Sequence, residues 1–162
     1  MRMSFFLVLM GSAIGLGLTR APRAATQQSD DVIALERAAL DKWSKGDPSG
    51  FLANYADDIT YFDPMREARV DGLPAIRELL APIAGKFSID RYEILNPKVQ
   101  RSGNAAVLSY NLANYKKLPN GTEQQINRWN STSVFFREGG RWREVHSHWS
   151  FTKPELKMPP AP

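Results

Sequence analysis

Apolar positions at helical spacing dominate the chain between residues 29 and 85. The first such segment starts near Ser29 and places four residues on one helical face before Gly46 stops it: Val32, Leu35, Ala39 and Trp43. A second, shorter helix is predicted at about residues 48–55, because Asp47 and Pro48 suit the start of a helix. A third helix is predicted between Pro74 and Gly85.

Strand-like alternation replaces this spacing after residue 88. The turns "RSGN", "LPNG" and "REGG" separate four predicted strands, at about residues 88–100, 104–117, 123–137 and 141–152. A shorter, earlier strand is predicted in "DITYFDP", which ends at Pro64. Helices followed by an antiparallel meander predict an α+β domain, with the helices covering one face of the sheet. We place this domain at residues 29–153, before a Pro-rich tail at 154–162.

The first 25 residues have the order of a secretory signal peptide. One arginine precedes an apolar run from Phe5 to Leu18, and small residues with Pro22 follow. The run is shorter than the roughly 20 residues of a comfortable bilayer span. We therefore expect export to the periplasm or secretion, with cleavage near Ala24 or Ala25. No membrane contact is expected unless the leader is retained as an anchor.

Charge and cysteine content exclude several classes of function. The formal net charge is +4, but Arg2, Arg20 and Arg23 lie in the leader, and the remainder carries 18 basic against 17 acidic residues. Such a balanced domain has no basic surface for nucleic acid, so no nucleic-acid partner is expected. The chain contains no cysteine, which excludes disulfides, thiolate metal sites and cysteine nucleophiles.

Four segments carry a family resemblance: "DITYFDP", "VDGLPAIRELL", "NPKVQRSGNAAVLSY" and "REGGRWREVHSHWS". They resemble segments of the nuclear transport factor 2-like superfamily, which includes ketosteroid isomerase and SnoaL-like proteins. Within the superfamily, the chain is most similar to the association domain of calcium/calmodulin-dependent protein kinase II and its free-standing bacterial relatives. The resemblance implies a cone-shaped fold, with about three N-terminal helices on a curved, mostly antiparallel sheet. It also implies self-association as a homodimer or higher homo-oligomer. The chain has no kinase motif and is not a kinase.

Regular alternation along the last strand predicts one wall of a cavity. It places Trp142, Glu144, His146 and His148 on one face. Across the hairpin, this register pairs Arg137 with Trp142, Phe135 with Glu144, Ser133 with His146 and Ser131 with His148. The opposite face, with Val134, Phe136, Val145 and Trp149, is apolar enough for a dimer contact.

The resemblance also indicates which positions face the pocket. Kinase-linked relatives carry an arginine on the third helix, matched here by Arg77, and two on the sheet. The sheet positions are Asn111 and Ser133 in this chain. Loss of these two arginines favours a neutral or weakly polar ligand over an anion.

The chemistry of this pocket allows three interpretations. A metal held by His146 and His148, with Glu144 or Asp63, is the least favoured, and no metal or cofactor is predicted. Acid–base catalysis by Asp63 and His146 is the second, since a carboxylate under apolar cover gains proton affinity. Asp63 and Pro64 also suit a simple turn that ends the strand. Hydrogen-bonded histidines in the wall of a pocket are favoured. Trp43 and Trp129 are interpreted as core or cavity wall.

Together these observations predict an exported, self-associating domain with a polar-lined cavity for a small organic molecule. The expected ligand-binding residues are Tyr61, Arg77, Asn111, Ser131, Ser133, His146 and His148. A small isomerase, dehydratase or cyclase using Asp63 and His146 is one alternative. A pure oligomerisation module is the other.

Overall fold

The computed structural model describes the backbone of residues 22–152 and the side chains of residues 31–152. The helices are α1 (Pro22–Trp43), α2 (Ser49–Asn54) and α3 (Leu73–Leu80), and α3 continues into a 3₁₀ turn, Ala81–Ile83. The three predicted helices are therefore confirmed. The start of α1 near Ser29 is wrong, because the alanines and glutamines that follow Pro22 are good helix formers. The predicted tail and most of the predicted leader lie outside the described residues.

One six-stranded sheet forms the other layer. Its strands are β1 (Tyr55–Phe62), β2 (Val70–Asp71), β3 (Arg91–Ser102), β4 (Ala105–Lys117), β5 (Glu123–Glu138) and β6 (Arg141–Phe151). Their order across the sheet is β2-β1-β6-β5-β4-β3, with β1 parallel to β6 and the other pairs antiparallel. The four long strands and the mostly antiparallel α+β architecture are confirmed. Strand β2, at the edge, was not predicted.

The core lies between the inner face of this curved sheet and the helices. Its most deeply buried apolar side chains come from every layer: Val32, Leu40, Ile59, Ile76, Leu108 and Phe135. Helices α1 and α2 approach closely at Gly50, where an added Cβ would lie 2.7 Å from the Cα of Ala39. Among residues 22–152, no helix combines the length and apolar character needed to cross a bilayer.

A β-bulge in β6 decides which of its side chains face the helices. Phe135 pairs with Glu144 and Val134 pairs with His146, so Val145 is an extra residue with no partner on β5. An extra residue reverses the faces of the residues that follow it. Ser147 and Trp149 therefore face the helices, and both histidines face outward.

The predicted register is thus correct as far as the bulge and wrong beyond it. Arg137 pairs with Trp142 and Phe135 with Glu144, as predicted, but Ser133 pairs with Ser147 and Ser131 with Trp149. The histidines therefore do not share a face with Glu144. The outward apolar face predicted for Val145 and Trp149 is wrong for Trp149, which contacts Phe51 of α2.

Candidate ligand-binding cavity

A cavity of about 400 Å³ lies between the helices and the inner face of the sheet. Ligand pockets typically measure about 300–1,000 Å³, so this one can hold a small organic molecule. Its apolar lining comes from all three helices, the loop that precedes β3, and the three strands β4–β6: Leu40, Trp43, Phe51, Leu80, Phe87, Leu112, Trp129 and Trp149. The lining is mainly apolar, whereas the sequence predicted a polar one. Three exposed side chains, Met65, Ile83 and Ile126, also line it and mark its opening to solvent.

Aromatic rings pack against one another around this cavity. Trp43 lies 4.8 Å from Phe87, between ring centroids, and Trp129 stacks on Phe151 at 4.1 Å. The ring of Trp149 stands edge-on to both Trp129 and Phe51, each at 6.2 Å. Offset-stacked and edge-on contacts of this kind are the favoured arrangements of aromatic pairs. The wall is therefore well positioned to receive a flat apolar ligand.

Two asparagines form a polar end of the cavity. The Asn127 Oδ1 atom accepts hydrogen bonds from Trp129 Nε1 at 2.7 Å and from Asn114 Nδ2 at 2.9 Å. Because an indole N–H only donates, these bonds fix the orientation of both amides. Asn114 Oδ1 is left buried, with no hydrogen-bond partner among the described residues. The surrounding atoms also cover it, so a ligand hydroxyl or N–H group reaches it only if the Asn114 side chain turns toward the cavity.

Tyr61 and Asp63 form a second polar group on the lining. Burial raises the pKa of Tyr61, and the neighbouring Asp63 carboxylate raises it further, so the phenol stays protonated and can donate. Asp63 Oδ1 also accepts a hydrogen bond from the Met65 backbone N–H at 2.7 Å. Asp63 therefore starts the turn that contains Pro64, and it also lines the cavity.

The other predicted site residues do not line this cavity. Arg77 is exposed, because Leu73, Ile76 and Leu80 form the buried face of α3. Asn111 lies on the outer face of the sheet and donates a hydrogen bond to Asn130 at 2.8 Å. Ser131 and Ser133 are buried on the inner face but are not part of the lining.

The two histidines lie on the outer face of the sheet, next to the outward-facing side chains of β1. His146 Nδ1 is 2.8 Å from the Thr60 hydroxyl, and Phe62 packs against both imidazole rings. His146 therefore has no direct access to a ligand in the cavity. Among the side chains of residues 31–152, no three His, Asp or Glu residues converge in a way that could hold a metal ion.

A buried acidic pair, Glu36 of α1 and Glu144 of β6, was not predicted. Each side chain is 1% exposed, and Tyr110 donates a hydrogen bond to Glu36. Burial raises the pKa of Glu36 to about 7. Burial, followed by the charge of Glu36, raises the pKa of Glu144 well above its ordinary value. The sequence contains a signal for one member of this pair, since Glu36 interrupts the apolar face of α1 between Val32 and Leu40.

Hydroxyl groups surround this pair. Ser133 and Ser147 lie beside Glu144 and lower its pKa, opposing burial, although neither reaches good hydrogen-bond geometry. Within the described part of the chain, the hydroxyls of Ser131, Ser133 and Ser147 have no hydrogen-bond partner, and neither has either carboxyl oxygen of Glu144. Tyr55, which lines the cavity, pairs with Glu144 across the sheet. The acidic pair therefore lies next to the cavity wall without opening into it.

Comparison with known families agrees with this architecture. The profile of the SnoaL-like domain matches residues 32–154, which is most of the chain. The chain belongs to the SnoaL-like family. A proposed ketosteroid isomerase from Parabacteroides distasonis is 31% identical to this SnoaL-like domain, over 76% of this chain and 86% of that one, with a TM-score of 0.65.

Two more distant structures show the same fold. The association domain of calcium/calmodulin-dependent protein kinase II from C. elegans is 22% identical, over 80% of this chain and 99% of that one, with a TM-score of 0.67. A nuclear transport factor 2-like protein of unknown function from Pseudomonas putida is 23% identical, over 81% of this chain and 91% of that one, also with a TM-score of 0.67. No curated protein matches the SnoaL-like chain significantly. The predicted superfamily and its fold are confirmed.

Proposed function

We propose that this SnoaL-like domain binds a small, mainly apolar organic molecule that carries at least one hydroxyl or N–H group. The observation that carries the proposal is the cavity of about 400 Å³, whose aromatic wall ends at Asn114 and Asn127. Apolar burial would supply most of the affinity, at about 25 cal/mol per Å² of surface removed from water. Asn114 would favour a ligand with a donor group, because turning toward such a group gives its unpaired oxygen a hydrogen bond.

Two tryptophans allow a matched test. Trp129 lines the cavity, whereas Trp142 lies on the same inner face, contacts Arg101 and Arg137, and is not part of the lining. The neutral fluorescent probe N-phenyl-1-naphthylamine is titrated into wild type, Trp129→Ala and Trp142→Ala. We expect Trp129→Ala to weaken probe binding at least about tenfold, through loss of a stacking wall of the kind that aromatic pairs provide. Trp142→Ala should keep the wild-type affinity.

Failure of the wild type to bind the probe, or equal weakening in both variants, would contradict a binding role for this cavity. Mass spectrometry of molecules that co-purify with the protein then identifies the natural class of ligand. A compound with an apolar ring system and a donor group is expected.

Acid–base catalysis on the bound molecule is a second candidate function. It is favoured by Tyr61 and Asp63, which present a protonated phenol and a carboxyl group on the same cavity lining. A donor and a carboxylate base beside a carbonyl group are the requirements for moving a proton on an adjacent carbon. The ketosteroid isomerase and dehydratase names of some structural neighbours support this class of reaction. His146, on the outer face, has no part in it.

The carboxyl group can be tested by Asp63→Asn. Turnover of an unsaturated ketone should be lost while probe affinity is retained, because the amide keeps the shape of Asp63 but cannot accept the proton. The turn at Met65 is also kept, since the amide oxygen can still accept that hydrogen bond. Retained turnover in Asp63→Asn would refute this catalytic role.

Self-association and export are further parts of the proposal. Phe62 and Phe136 are 41% and 46% exposed on the outer face of the sheet, which supports a contact between two copies. Light scattering at micromolar concentration should give at least a dimer, and a strict monomer would contradict self-association.

The proposal of export rests on the leader in residues 1–25. N-terminal sequencing of the protein from its native cell fraction tests cleavage near Ala24 or Ala25.

A further inference from the structure

The buried acidic pair has no cationic partner among the described side chains. Glu36 is faced by Tyr110 of β4, Tyr92 of β3 and Glu144, and Glu144 is faced by Tyr55 and Tyr61 of β1. No lysine or arginine in residues 31–152 contributes to the pKa of either carboxyl group. Two buried carboxylates without a counter-ion repel each other and cannot both be ionised at low cost. The pair therefore needs a proton in order to remain buried.

Helix α1 links this pair to the cavity. Glu36 lies one turn before Leu40 and two turns before Trp43 on the same helical face. Leu40 and Trp43 both line the cavity, and Glu36 is as deeply buried as its apolar neighbours. A charge that forces Glu36 away from the sheet must therefore also displace the helical wall of the cavity.

We propose that Glu36 and Glu144 form a proton-dependent latch, which holds α1 on the sheet while the pair keeps a proton and loosens the cavity wall when that proton is lost. The part that concerns ligand affinity rests on the proposed binding function, whereas the part that concerns stability does not.

The direction of the pH effect follows from the pKa values. Both carboxyl groups have a higher pKa in the folded chain than the ordinary value of 4.5. Between that value and the folded pKa, which for Glu36 is about 7, the folded state binds more protons than the unfolded state. The stability that the pair contributes is therefore complete below about pH 4.5 and falls as the pH rises toward the folded pKa of Glu36, about 7. It continues to fall at higher pH until Glu144 also ionises.

Urea unfolding between pH 5 and pH 9 tests the latch in wild type, Glu36→Gln, Glu144→Gln and the double variant. Glutamine keeps the shape of glutamate but cannot ionise, so each single variant should weaken the fall in stability with rising pH and the double variant should remove it. Only the opposite dependence of His146, whose lowered pKa makes stability rise with pH, should then remain. Glu78→Gln, at an exposed position of α3, serves as the matched control and should keep the wild-type dependence. Circular dichroism at pH 6 establishes that each variant is folded. A wild-type midpoint that does not fall between pH 5 and pH 9, or a double variant that keeps the wild-type slope, would overturn the proposal.

A bound cation is the rival explanation, because the unpartnered atoms of the pair and of the three neighbouring serines are all oxygens. Unfolding is therefore repeated at pH 8 with 5 mM calcium chloride, magnesium chloride or sodium chloride at equal ionic strength. The latch predicts no cation-specific gain in the midpoint. A gain that calcium gives to the wild type and not to the double variant would show a cation site and overturn the proton latch.

Probe binding then tests the connection to the cavity. N-phenyl-1-naphthylamine should bind the wild type several-fold more weakly at pH 8 than at pH 6, and the double variant equally well at both. Equal affinity of the wild type at the two pH values would refute the link to the cavity. If the probe binds at neither pH, the proposed binding function fails, and the unfolding series still decides the latch.

Discussion

Replacing Gly50 by alanine should destabilise the protein, although alanine is the better helix former. Gly50 lies in α2, and the added Cβ would meet backbone of α1, at 2.7 Å from the Cα and 3.1 Å from the carbonyl oxygen of Ala39. Non-bonded carbon atoms normally approach to about 3.5–4.0 Å, so the two helices must separate by roughly 1 Å. The obstacle is backbone, and no side-chain rotation can relieve it.

Comparing the cost of overpacking with the gain in helix propensity shows whether Gly50→Ala stabilises or destabilises the protein. Overpacking of this kind costs about 2–3 kcal/mol, and the gain in helix propensity returns at most about 1 kcal/mol. We therefore expect Gly50→Ala to lower the free energy of unfolding by about 1–2 kcal/mol. Because Phe51 follows Gly50 and lines the cavity, the same shift should weaken N-phenyl-1-naphthylamine binding.

Urea unfolding at pH 6, below the pKa of about 7 of Glu36, measures this change. Ala53→Gly is the matched control. Ala53 is exposed on the same helix, so its replacement reports the propensity effect alone and should cost at most about 1 kcal/mol. Both variants should lose stability, although one adds a methyl group and the other removes one. A Gly50→Ala protein that is more stable than wild type would refute the close approach of α1 and α2 and the reasoning built on it.

Three further predictions follow from single contacts. Tyr110→Phe removes the hydroxyl that donates to buried Glu36 and should lower the free energy of unfolding in urea by about 1–3 kcal/mol. Tyr92→Phe, which removes an exposed hydrogen bond to Asp41, should lower it by about 1 kcal/mol or less. Equal losses would contradict a special role for the buried hydrogen bond. In an NMR titration, the pKa of His146 should lie below the ordinary value of about 6.5, because partial burial and, to a smaller extent, the charges of His148 and Arg69 disfavour its protonated form. A value above 6.5 would be inconsistent with its place on the sheet. Asn111→Ala should leave N-phenyl-1-naphthylamine affinity unchanged, because this side chain lies on the outer face, and a marked loss of affinity would show that the faces of β4 are wrongly assigned.

Local patterns in the sequence determined most of the architecture. Periodicity located three helices and the four long strands, because the 3.6-residue and two-residue repeats reflect which side of each element is buried. Glycine and asparagine turns located the hairpins for a similarly local reason, since those residues accept the backbone angles that tight turns require. Together with the quoted segments, this was enough to predict the α+β fold and its superfamily.

Tertiary structure alone decided which residues meet at the cavity and at the acidic pair. Val145 shifts β6 by one residue, and because strand side chains alternate, that single shift moves His146 and His148 outward and brings Ser147 and Trp149 inward. No local pattern marks such a bulge. Glu36 was visible as an acidic residue on an apolar helical face, but its partner Glu144 comes from the last strand. Pairing between residues so distant in sequence depends on the packing of α1 against the sheet, which local periodicity does not encode.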